Sequence, residues 1–314
     1  MKLQTKILLN RPVNPIDYHS EVLLLGSCFV ENMGAKLNYF KFKTEQNPFG
    51  ILFHPKAIEK LIADAVLEKS YTESDIFFHQ ERWHCFNAHS DLSNVSREAL
   101  LNRLNTALTT TREYLQQASH IIITLGTAWA YRLLDSGDLV ANCHKVSQKS
   151  FAKELLSIPA IVESLEKSRA LILGINPKAT ILYTVSPVRH LKDGFVENQQ
   201  SKAHLIAAIG QVRSTREEYF PSYELMMDEL RDYRFYEADM VHPNALAIAY
   251  IWEKFRSVWI AESAYQTMDQ IEEIQKGLGH RPFHPDSEQH KRFLTSLQDK
   301  ITYLKKGYPY IKFD

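Results

Sequence analysis

Glu21-Val-Leu-Leu-Leu-Gly-Ser-Cys-Phe29 decides how this chain is read. The apolar run ending at Leu25 has the length of a short buried strand, and Gly26-Ser27 stops it abruptly. Over residues 28–39 the apolar positions Phe29, Met33 and Leu37, with Phe40 just beyond, recur at helical spacing, which predicts a helix. A serine at such a corner presents its hydroxyl at the carboxyl end of the strand, with helix amides behind it. That suits a nucleophile beside backbone donors for an oxyanion. It equally suits a helix N-cap.

A distant stretch favours the nucleophile: Asp239-Met-Val-His-Pro-Asn244. Pro243 disfavours a helical His242 and fits the first turn of the helix predicted over 244–259, which is apolar nearly all round. Asp239 and His242 are therefore expected in a loop before a core helix. The carboxylate can hold one ring nitrogen of His242 and leave the other free as a base.

Ser27 near the start and Asp-x-x-His-Pro near the end resemble the SGNH/GDSL hydrolase superfamily, and Gly26-Ser-Cys-Phe29 narrows the resemblance to the GSCFA family. Asn47-Pro-Phe-Gly50, Thr124-Leu-Gly-Thr127, Asn142-Cys-His-Lys145, Ser186-Pro-Val-Arg-His190 and Glu197-Asn-Gln-Gln-Ser-Lys202 look like the same family. The resemblance implies a three-layer, flavodoxin-like α/β fold over residues 1–260, with helices on both faces of a parallel sheet. It also implies an ester-cleaving Ser27–His242–Asp239 site. The expected oxyanion hole holds the Ser27 amide and Gly50, which is otherwise simply a turn glycine after Pro48. The superfamily's asparagine is replaced here by Thr127, so either Thr127 or Asn142 supplies that donor or the hole has only two.

With 314 residues, the chain has ample length for a core. Hydrophobic content of 45% and charged content of 24% are those of an ordinary globular protein. Lysine plus arginine (37) equal aspartate plus glutamate (37), so no basic footprint points to nucleic acid or a membrane surface. Residues 1–10 carry only a three-residue apolar patch, and Cys28, Cys85 and Cys143 are odd in number and scattered. A cytoplasmic protein with reduced thiols is the expectation.

Along the chain, 1–20 reads as an extended lead-in, 41–55 as irregular and 58–68 as helix. Residues 70–94, rich in aromatics and histidines, read as a long structured excursion. A helix over 96–118 precedes a second buried strand, 120–125, which again stops at a glycine, Gly126. Asp135-Ser-Gly-Asp138 predicts a turn between two short strands. A helix over 151–176 interrupted at Pro159, a third strand over 179–185, a helix over 199–218 and a fourth strand over 223–227 follow. Alternating strands and helices indicate a parallel sheet whose ligand crevice lies at the strands' carboxyl ends. Residues 261–314, with helices over 265–275 and 287–303, read as a helical C-terminal appendage.

Other groups extend the reading. Cys28, in the first helical turn, is a rival nucleophile if its thiol is activated there. His79, His84 and His89 are spaced by five, which is not the usual short metal-ligand spacing. His89, His144, Arg189 and His190 are candidate substrate contacts, and Lys202 reads as a solvated helix residue. The expected function is a serine esterase or acyltransferase acting on a small-molecule or glycan ester, with no cofactor. A metal-dependent hydrolase built on the histidine-rich loops and a binding module with lost catalysis are the alternatives.

Overall fold

The computed structural model describes residues 4–212 and 217–313. Chain order begins with β1 (Glu21–Gly26), α1 (Phe29–Tyr39), β2 (Lys43–Gln46) and α2 (Pro55–Val66). The excursion follows as a hairpin of β3 (Phe77–His79) and β4 (Arg82–His84). Then come α3 (Arg97–Gln117), β5 (His120–Leu125), β6 (Trp129–Leu133), β7 (Leu139–Val140), β8 (Phe151–Leu155), α4 (Ile158–Ile175) and β9 (Thr180–Val185). The chain continues with α5 (Phe195–Val212), β10 (Glu217–Phe220), the short turn α6 (Ser222–Glu224), α7 (Ala245–Trp259), α8 (Glu262–Leu278) and α9 (Glu288–Gly307).

Five strands form one parallel sheet in the order β10-β9-β5-β1-β2. Counted along the chain this is 2-1-3-4-5, the flavodoxin-like order, whose switch point lies between β1 and β5. Strand periodicity then builds the layers. Leu23, Leu25, Ile121, Ile123, Ile181 and Tyr183 pack beneath α2, α3, α4 and α5. Val22, Leu24, Ile122 and Leu182 face the opposite way, against α1 and α7. The fold is thus the expected three-layer α/β sandwich. The second cluster also takes in Ala264, Met268 and Ile271 of α8 and Leu297, Ile301 and Leu304 of α9, so the C-terminal helices add to the same core. Among the described residues, no helix is long and apolar enough to cross a membrane.

Several sequence expectations are corrected. Phe151–Leu155 is a strand, paired antiparallel with β6, and not the start of a helix. Pro159 opens α4 after the Ser157 cap, where a missing N–H costs nothing, and does not interrupt it. The strand expected over 223–227 is instead α6 and a π-helical turn, Leu225–Glu229. The strand lies earlier, at β10, whose first two residues fall within the helix expected over 199–218; positions 213–216 of that expected helix lie outside the described residues. The irregular stretch 41–55 contains the half-buried edge strand β2. The turn at Asp135-Ser-Gly-Asp138 does join two antiparallel strands, β6 and β7.

Candidate active site

The corner after β1 is built by glycine geometry and an asparagine. Gly26 has φ +134°, and a Cβ there would lie 2.1 Å from the Thr124 carbonyl oxygen, so no larger residue fits between β1 and β5. Its N–H donates to Asn47 Oδ1 at 2.9 Å, and Asn47's own amide donates to the Leu24 carbonyl at 2.9 Å. Asn47 thereby locks the end of β1, a role not foreseen from its sequence.

Ser27 is fully buried and its hydroxyl makes no hydrogen bond. A capping serine would accept an amide from the first helical turn. Here the Val30 N–H donates to the Ser27 carbonyl at 2.9 Å, and the hydroxyl is left over. Beside it, Gly126 approaches so closely that a Cβ on residue 126 would lie 3.1 Å from Ser27 Cβ. Ser27 and Gly126 thus flank the β1/β5 switch point, where ligands of such sheets bind.

Asp239 and His242 form the expected pair. Asp239 Oδ2 lies 2.6 Å from His242 Nδ1, and Oδ1 accepts the Val241 and His242 amides at 2.8 and 3.0 Å. The ring nitrogen facing a carboxylate carries the proton, which leaves Nε2 free to accept one. These bonds, led by the His242 amide, hold the Asp239 carboxyl down to about 2. Both side chains are about half exposed (49% each), and no hydrogen bond joins His242 to the buried Ser27 hydroxyl. Such contacts often tighten only when substrate binds.

Arg189 serves that loop, contrary to the expectation of a substrate contact. Its guanidinium donates to the Met240 carbonyl and stacks 4.2 Å from the Tyr236 ring centroid, while its amide donates to Val241 O at 3.2 Å. Met240 has φ +57°, a strained value for its type, so the clamp holds an unfavourable turn in place.

The two expected backbone donors of the oxyanion hole are committed elsewhere, and the two expected side chains hold loop contacts of their own. The Ser27 N–H donates to Thr124 O at 3.0 Å, and the Gly50 N–H closes a turn on Asn47 O at 2.7 Å. Thr127 Oγ1 accepts the Trp129 amide and pairs with Ser201 Oγ, both at 3.0 Å. Asn142 Oδ1 accepts the His144 amide and shapes its own loop. Asn47 Nδ2, by contrast, is buried without a partner.

The histidines divide into two groups. His144 is buried in the excursion's aromatic cluster, with Nε2 donating to Cys85 O at 2.7 Å; burial holds its ring down to about 4. His84 is likewise bonded at both nitrogens, to His79 O and Ser93 Oγ. His89 packs over Gly50 and pairs with Asp91 at 3.1 Å. These rings tie loops together, and among the described residues no group of three or more His, Cys, Asp or Glu is arranged to hold a metal ion. His190 differs. Its Nε2 is buried without a partner, it packs edge-on to Phe53, and burial with the nearby Lys202 and His242 charges holds it down to about 3.

Two residues depart from what their sequence suggested. Burial pushes the Cys28 thiol above its ordinary value, with Glu31 adding to this and Lys202 opposing it, so the thiol is not activated. Lys202 is 1% exposed, not solvated. It donates to Gly126 O at 2.7 Å and Ser186 O at 2.8 Å, bridging the ends of β5 and β9. Burial holds its ammonium down to about 7. The signal was present in α5, where Asn198, Ser201, Lys202, Leu205, Ala208 and Ile209 fall on one buried face at helical spacing.

No curated protein matches the chain. Residues 271–314 match the family model described as GSCFA domain protein, C-terminal domain. Residues 21–255, which carry the corner, Lys202 and the Asp239–His242 loop, match the model described as GSCFA family, and the chain belongs to that family.

Proposed function

We propose that this chain cleaves or transfers an acyl ester through an acyl-enzyme on Ser27, with His242 as base and Asp239 as its orienter. The observation that carries the reading is the buried Ser27 hydroxyl without a hydrogen-bond partner at the switch point of a flavodoxin-like sheet. A buried hydroxyl is rarely left unmatched unless it has work to do, because its desolvation costs about 1–3 kcal/mol. The Asp239–His242 pair supplies the tautomer such a mechanism needs, and the resemblance to the SGNH/GDSL superfamily supports the same assignment. The substrate class we assign is a small-molecule or glycan ester. We place the protein in the cytoplasm, a reading supported by three unpaired cysteines.

In this mechanism Ser27 Oγ attacks the ester carbonyl while its proton passes to His242 Nε2. The tetrahedral adduct then expels the alkoxide, which takes that proton. Water or a second alcohol completes the cycle with the same base. The test is reaction with a neutral alkyl fluorophosphonate followed by peptide mapping. An adduct on Ser27 is expected; an adduct on Cys28, or none, overturns the reading.

A further inference from the structure

Two donors expected to face an oxyanion at Ser27 are engaged in the fold, the amides of Ser27 and Gly50, while Thr127 Oγ1 pairs with Ser201 Oγ and Asn142 is tied into its own loop through Oδ1. Close behind the same corner lies a cation without a counter-charge. Lys202 Nζ donates to two carbonyl oxygens, and no carboxylate pairs with it among the described residues. One of those carbonyls belongs to Gly126, which lies so near Ser27 that a Cβ added there would come within 3.1 Å of Ser27 Cβ, so the ammonium is bonded to a neighbour of the nucleophile. An ammonium has three N–H donors, and here two are engaged.

A buried ammonium without a carboxylate is costly, and a tie between two carbonyls would be made more cheaply by a neutral donor. Lysine at this position makes sense if negative charge arrives during the reaction. We propose that Lys202 supplies the positive charge that stabilises the oxyanion formed at Ser27, in place of the superfamily's asparagine. The inference rests on the serine reading above. As Ser27 Oγ bonds to the carbonyl carbon, the carbonyl π pair moves onto oxygen, and the Ser27 proton goes to His242. The new anion then faces a field already set by Lys202. When the pair returns, the C–O bond to the alcohol breaks and the alkoxide takes the proton from His242. Lys202 neither gains nor loses a proton. Its interaction is stronger in the transition state than in the ground state, which is the condition for raising the rate.

The groups that face Lys202 are few. From the start of α1 comes Cys28, whose thiol is pushed up by burial. From the segment after β9 comes His190, held down to about 3, with His242 beyond it. From α6 comes Tyr223, whose ring lies 5.4 Å from Nζ and whose hydroxyl is pushed up to about 12. Burial moves Cys28, His190 and Tyr223 away from neutrality, whereas it brings Lys202 down to about 7.

The rate of fluorophosphonate labelling at Ser27 tests this, because phosphonylation also places charge on the phosphoryl oxygen. In the wild type the rate should fall from about pH 7 to about pH 9 as Lys202 loses its proton. Lys202→Gln, which keeps a donor without the charge, should label about a hundred-fold more slowly near neutrality and show no alkaline fall. A purely structural tie would move stability and leave the pH profile unchanged. A wild-type rate that holds a plateau to about pH 10, where the pH dependence of native stability shows the Lys202 proton already lost, overturns the inference and leaves the serine reading standing. So does a Lys202→Gln variant labelled at the wild-type rate. Absence of any adduct on wild-type Ser27 overturns both. Should Lys202→Gln not fold, the wild-type profile decides alone.

Discussion

Asp239 holds His242 by two bonds and its neighbour by a third: Oδ2 lies 2.6 Å from the ring Nδ1, and Oδ1 accepts the amides of His242 itself and of Val241. Asparagine could keep the amide bonds, because its carbonyl oxygen still accepts them. It would present an N–H to Nδ1, however, and favour the wrong imidazole tautomer. Asp239→Asn should therefore fold normally yet lose turnover. In buried triads that change costs roughly ten-thousand-fold, and the half-exposed setting here should reduce the loss to about a hundred- to a thousand-fold. Turnover on one small aryl ester, with a circular dichroism melt as control, checks it. Because the carboxyl sits at about 2, its contribution is complete above the ordinary carboxylate range and is lost only as pH falls through about 2.

Ser27 and His242 act in the proposed mechanism as a unit, although no hydrogen bond joins them in this structure. Ser27→Ala and His242→Ala should each abolish most of the turnover, and the double variant should be little worse than either single one. Turnover for the two singles and the double is the measurement. Additive losses would mean that the two residues do not share one step.

Arg189 reaches the same loop from the β9 side through its stack on Tyr236 and its bond to Met240. Arg189→Ala should release the left-handed turn at Met240 and let His242 drift. A misplacement of about 1 Å can cost on the order of a hundred-fold in rate, so a loss between about ten- and a hundred-fold is expected. Arg189→Lys should not restore it, because a lysine lacks the planar group that stacks on the ring. Faster amide hydrogen exchange at Val241 and His242, with little change in melting temperature, would locate the effect in the loop.

The parts of the molecule that were legible in the sequence are those with strong local signals. β1, β5 and β9 are continuous apolar runs stopped by Gly26, Gly126 and Ser186, and each was placed within a residue or two. β2 was missed because Lys43-Thr-Glu-Gln46 is an edge strand with half-buried polar side chains and no apolar run. β8 was absorbed into a helix because Phe151-Ala-Lys-Glu-Leu155 contains helix formers, and its strand state comes from pairing with β6. In the site, Asp239 and His242 could be paired because they are three apart in one loop. Arg189 and Lys202 could not be placed, because what each touches is decided by chain segments far away. Met240 sets the role of the first, and the carbonyls of Gly126 and Ser186 set that of the second.

The burial of Lys202 also predicts how stability depends on pH. The unfolded chain keeps a proton on Lys202 up to the ordinary value of 10.5, while the native chain releases it at about 7. Between those values the unfolded state binds more protons, so this residue makes native stability rise with pH. Over pH 7.5 to 8.5 the difference is close to one proton, which corresponds to a slope of roughly 1 kcal/mol per pH unit. The buried thiol of Cys85 and the half-buried thiol of Cys143 act in the opposite sense at higher pH, because desolvation pushes both up to about 11. The comparison is therefore best made below about pH 8.5 and between two proteins. Urea unfolding of the wild type and of Lys202→Met across that window should give stabilities whose difference changes by roughly 1 kcal/mol per pH unit. Lys202→Met should gain on the wild type as pH falls, since it has no ammonium to bury. Parallel stability curves would mean that Lys202 keeps its proton in the native state through this range, and that its two carbonyl partners solvate the ammonium fully.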